Sequence, residues 1–107
     1  MRDKPEQLAD LDEPRRQLIL TMQGLNFGRI ENLPIRNGSP DFGAGHSVVY
    51  EFKIGGEIGP RMESGRENFA LCQKQIDLLE ILDSRQKGVI RSLTVKHGLP
   101  FMFEFEK

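Results

Sequence analysis

The side chains that most often carry chemistry are scarce in this chain: two histidines, His46 and His97, and one cysteine, Cys72. Neither histidine has a second His or a Cys at metal-ligand spacing, which argues against a zinc site. His97 belongs to a Lys96-His97-Gly98 turn sequence, where His tolerates positive φ. Cys72 falls at helical spacing with Phe69, Ile76 and Leu79, the setting of a buried, inert thiol. There is no Walker pattern and no GxSxG, and Gly55-Gly56 lacks the spacing of a dinucleotide fingerprint. Glu104 and Glu106 alternate along the last apolar stretch and read as solubilising charges rather than as an acid–base pair. The sequence thus names no catalytic residue, no metal ligand and no cofactor.

Two stretches have residue types suited to binding. Gly55 to Arg66 holds four glycines, and Arg61, Ser64, Gly65 and Arg66 precede a predicted helix. The first N–H groups of a helix carry partial positive charge, so these residues suit a phosphate or carboxylate. They also have a plainer use. Ser64 and Glu67 have capping-box spacing, and Glu57 and Glu63 offset the arginines. The second set is Arg36-Asn37 and Lys96-His97, each followed by glycine, which would form two basic hairpin tips able to meet a partner or a phosphate backbone.

The elements that position these residues come in two copies. Gly28-Arg-Ile-Glu-Asn-Leu-Pro-Ile-Arg-Asn-Gly-Ser-Pro40 returns sixty residues later as Gly88-Val-Ile-Arg-Ser-Leu-Thr-Val-Lys-His-Gly-Leu-Pro100, with Gly, Ile, Leu, Gly and Pro at identical places. Upstream, Leu18, Ile19 and Met22 match Leu78, Leu79 and Leu82 at the same offset. The repeated unit is a helix followed by a hairpin, over about residues 14–42 and 74–106. Asp12 and Pro14 mark the start of the first helix, with Gly24 as its stop. Steps of three from Ile30 to Leu33 and from Ile90 to Leu93 break period two and predict a shared bulge near Asn32 and Ser92. Pro34 cannot donate a ladder bond, so its strand is expected at an edge or with that side free. Val48, Tyr50, Phe52 and Ile54 alternate as a further half-buried strand. In the last hairpin, a three-residue loop at Lys96-His97-Gly98 places Leu93, Val95, Leu99, Phe101, Phe103 and Phe105 on the core face, with Ser92, Thr94, Met102 and Glu104 outside. The predicted fold is α+β in the order α-β-β-β-α-β-β. Its antiparallel sheet has four or five strands, two helices on one face, and an approximate internal two-fold.

Length bounds this to one domain, expected over residues 12–107, with residues 1–11 as a flexible N-terminal arm. Formal net charge is −1, whereas a domain that grips nucleic acid usually carries a basic excess. A single cysteine excludes an internal disulfide and fits a reducing compartment. No apolar run approaches the ~18 residues of a membrane span. Met1–Pro14 lacks the apolar segment of a secretory signal. The expected location is the cytoplasm.

Gln23-Gly-Leu-Asn-Phe-Gly-Arg-Ile30, after a helix and before an Asn-Gly hairpin, resembles short bacterial proteins of the uncharacterised YezD-like family. The resemblance covers about residues 17–40. It implies a bacterial helix–hairpin module and brings no activity or site residues with it, and Pro34 departs from the pattern. The reading that remains is a non-enzymatic binding or assembly domain acting through protein contacts, a homodimer included. One alternative is nucleic-acid binding by the sheet face or the basic tips. Another is binding of a small anionic ligand at residues 55–66.

Overall fold

The structure, a computed structural model, describes residues 6–52, 54 and 70–107. Helix α1 spans Glu13–Leu25. The Asp12 carboxylate accepts the Arg15 N–H at 3.4 Å, and Pro14 sits in the first turn, where a missing N–H costs nothing. The helix runs through Gly24 instead of stopping there. It ends at Asn26, whose φ of 62° and ψ of −63° turn the chain out of the helix. Helix α2, Gln73–Arg85, ends in the same way at Gln86, with φ 63°. Cys72 is the N-cap of α2, its N–H donating to Gln75 Oε1 at 2.9 Å. Because the helix begins after it, Cys72 is exposed and does not join the apolar face as its spacing implied. The Ser64/Glu67 pair lies outside the described residues.

Strands β1 (Gly28–Arg36) and β4 (Lys87–Lys96) pair antiparallel at the centre of a five-stranded sheet. Beyond β1 lie β2 (Ser39–Pro40), against its end, and β3 (Ser47–Tyr50), against its start. Beyond β4 lies β5 (Leu99–Glu106). The fold is α+β in the expected order. β1 is internal and not an edge, and of the two expectations it is the second that holds, with the Pro34 side free of a strand partner. The Pro34 carbonyl accepts the Asp41 N–H at 2.8 Å, on the side where β2 and β3 leave a gap. A residue's N and O point to the same side of a strand, so the absent N–H of Pro34 falls in that gap and no ladder bond is lost. β3 is shorter than its alternation predicted. Tyr50 faces Gly28, where β1 begins, so Phe52 and Ile54 have no strand partner and are exposed.

Leu18, Ile19 and Met22 of α1 and Leu78, Leu79 and Leu82 of α2 meet Ile30, Leu33 and Ile35 of β1 and Ile90, Leu93 and Val95 of β4 in one core. The three-residue steps stay inward because each strand is irregular between them. Asn32 adopts φ 58°, and the β4–β5 register slips between Ile90 and Ser92. Leu8 and Leu11, in and after a 3-10 turn at Leu8–Asp10, are buried in the same core. Residues 6–11 therefore belong to the folded body and not to the arm expected over 1–11.

The last hairpin corrects the predicted loop. Lys96 pairs with Leu99, leaving a two-residue turn, His97-Gly98, with φ 55° and 75°. Asn37-Gly38 forms the matching turn at 52° and 77°, the left-handed pair that the twist of a tight hairpin favours. Val95 then faces Pro100 and Thr94 faces Met102, so Phe101 is an extra, bulged residue. Past the bulge, Leu93 faces Phe103 and Ser92 faces Glu104. Phe103 and Phe105 pack on the core as expected; Phe101 does not, nor does Leu99, which the tight turn sets opposite exposed Lys96.

Candidate functional site

The two basic tips are parts of the scaffold. The Gly38 N–H donates to the Gln86 carbonyl at 2.9 Å, and the Gly98 N–H donates to the Asn26 carbonyl at 2.8 Å. Each tip therefore docks on the helix end of the other unit. Beneath the first tip, Arg15 is 4% exposed. Its Nε donates to Gly38 O at 3.2 Å, and its Nη2 reaches Asp83 Oδ1 at 2.6 Å and Asn37 O at 3.5 Å. Nothing in the sequence singles out this arginine, because one basic residue on a helix is the commonest of surface features. The side chains of Arg36, Asn37, Lys96 and His97 are exposed. The register puts Arg36 opposite Lys87 and Val95 opposite Gly28, so the two tips stand at opposite ends of the β1–β4 pair and form no single site. His97 packs edge-on against Phe27, and His46 against Phe42, with centroids 4.7 and 5.0 Å apart. Arg61, Ser64, Gly65 and Arg66, the anion-binding candidates, lie outside the described residues. Among the described residues no group of His, Cys, Asp and Glu could hold a metal.

The sheet face opposite the helices carries paired charges. Arg29 Nε meets Glu31 at 2.8 Å and its Nη1 meets Glu51 at 3.5 Å, while Arg91 meets Glu106 at 2.6 Å. The hydrogen bond from Arg29 to Glu31, then the Glu31 charge, holds this guanidinium above its ordinary pKa. These contacts set two arginines against three carboxylates, which does not favour an anionic ligand there.

A surface with concave shape and apolar content lies between α2 and β5. A groove of about 320 Å³ is lined by Lys74, Asp77, Leu78 and Ile81 from the helix and by Pro100–Phe103 from the strand. Ile81, Phe101 and Met102 are 42%, 56% and 59% exposed. Among the described residues no strand pairs with the far side of β5. The Lys96 ammonium lies 3.9 Å from the centroid of the Phe101 ring, which holds that ring in place. Sequence reading missed this surface. A signal was present in Ile81, which stands off the Leu78–Leu79–Leu82 stripe, but the bulge that turns Phe101 outward has no signature of its own.

Comparison with family models, curated proteins and solved structures finds no match.

Proposed function

We propose that this chain is a non-enzymatic assembly domain that pairs with a second copy of itself along β5. The observation that carries the reading is the open edge of β5 beside exposed Ile81, Phe101 and Met102. Unpaired strand edges template addition of another strand, and natural sheets blunt those that must stay alone. Here Pro100 and the bulge at Phe101 blunt the half of β5 next to the turn, and the stretch from Met102 to Glu106 is left regular. Antiparallel pairing about Phe103 sets Met102 against Glu104, and Phe101 against Phe105, of the other copy. No carboxylate then faces a carboxylate, which would be destabilising in directly opposed pairs.

Light scattering from micromolar to millimolar chain tests this. The mass should rise from 12.2 kDa toward twice that value. Met102→Lys should remove the rise without unfolding the chain, since Met102 is exposed. A mass of 12.2 kDa throughout would sink the reading.

The nucleic-acid alternative has one observation in its favour, the exposed Phe101 ring under Lys96. Glu31, Glu51, Glu104 and Glu106 on or beside the same sheet face oppose it, because phosphate contact is chiefly electrostatic. In the described residues no helix is long and apolar enough to cross a membrane. A cytoplasmic setting, supported by the single cysteine, completes the proposal.

A further inference from the structure

The β1–β4 seam follows the sixty-residue offset in its geometry as well as its sequence. Gly28 faces Val95 and Ile35 faces Gly88; Ile30 faces Leu93 and Leu33 faces Ile90. Adding sixty to the first strand's number and subtracting it from the second's turns each of these pairs into the other. The helices begin and end sixty apart, at Glu13 and Gln73 and at Leu25 and Arg85. Their caps share φ of 62° and 63°, and their hairpin turns share 52° and 55°, then 77° and 75°. Each turn glycine donates to the cap carbonyl of the opposite unit.

We infer that the β1–β4 seam is a recognition surface between two helix–hairpin units related by an approximate two-fold, and that the corresponding unit of a second copy of this chain can replace either one. The units are residues 6–52 and 70–107. Neither buries its apolar face alone, because Ile30, Leu33 and Ile35 share their core with Ile90, Leu93 and Val95. In the intact chain the two units are tethered, and the high effective concentration favours closure within one molecule. A chain with one broken unit presents the seam of the other.

The exchange has a preferred pairing. Arg15 is buried and meets Asp83 of the opposite unit. The residue sixty before Asp83 is Gln23, so pairing two first units would set Arg15 against an amide in place of its carboxylate at 2.6 Å and leave it only Asp12 of its own unit, at 3.5 Å. The replacement for a first unit is therefore another first unit, set against an intact second one.

Two full-length variants test this. Leu33→Asp breaks the first unit and Leu93→Asp the second, each placing a charge at a fully buried position. Each alone should lose the dispersed amide spectrum of the native chain. An equimolar mixture should regain it, with maximal recovery at one to one, because the intact first unit of one chain meets the intact second unit of the other. This readout is independent of any β5 contact. A mixture whose spectrum is the sum of its parts overturns the inference. Should the variants precipitate before mixing, the full chain cut at a protease site placed within residues 53–69 decides. Pieces that co-elute and exchange with isotope-labelled pieces support the inference, and pieces that separate or never exchange overturn it.

Discussion

Arg15 is where a single side chain does most for the architecture. It joins α1, the first hairpin tip and α2 through Gly38 O, Asn37 O and Asp83. Arg15→Ala strands two carbonyls at a buried position and should cost roughly 1–3 kcal/mol in urea unfolding. Asp83→Asn should cost less, within about 1 kcal/mol, because the Asp83 side chain is 44% exposed and water compensates. Equal losses would mean that the carboxylate, not the turn carbonyls, is the main partner. The same corner constrains Gly38. Its φ is 77°, and an added Cβ would lie 2.6 Å from Asp83 Oδ1 and 2.9 Å from Arg15 Nη2. Left-handed backbone alone costs an alanine roughly 1–2 kcal/mol. Gly38→Ala should therefore lose more than that in urea unfolding, and a smaller loss would contradict the clasp. The left-handed glycines were legible in the sequence, since Asn-Gly and His-Gly between apolar stretches dictate such turns. The clasp was not, because its partners are 22 to 68 residues apart.

Elements follow from periodicity wherever one face is buried. The inward set of β4, Ile90, Leu93 and Val95, was readable from spacing alone, and so was its outer set, Ser92 and Thr94. Leu93→Ala should destabilise by roughly 2–5 kcal/mol through cavity formation. Thr94→Ala and Phe101→Ala should stay within about 0.5 kcal/mol of the native chain in the same denaturation series. A large loss at Phe101 would return that ring to the core face and erase the bulge. Periodicity failed at three boundaries for separable reasons. α1 outran Gly24 because the chain turns at Asn26, whose N–H still closes the helix onto Met22 O. β3 stopped at Tyr50 because β1 begins at Gly28 and offers no further partner. The β4–β5 hairpin combined a tight turn with a bulge, so the contacts near the turn followed one register and those past it another. Each is settled by the neighbouring strand or helix, which a window along one strand does not contain.

At the scale of the whole molecule, the helices seal one sheet face, charge pairs lie on the other, and the two hairpin tips are bound into the scaffold. Among the described residues, β5 keeps an unpaired edge with its groove against α2, and Tyr50, Phe52 and Ile54 are exposed at and beyond the end of β3. Two similar units meeting along β1–β4 leave two outer flanks, and these flanks differ. On one, β2 and β3 share the length of β1 with a gap at Pro34. On the other, β5 runs as one strand. The proposed self-association uses the flank where the strand is the longer and more regular, that of β5. The most direct measurement mixes isotope-labelled and unlabelled chain at millimolar concentration and records nuclear Overhauser contacts between molecules. Pairing about Phe103 predicts contacts from Met102 of one chain to Glu104 of the other. Intermolecular contacts confined to the β2–β3 flank or to the outer sheet face, or none at all, would contradict assembly through β5.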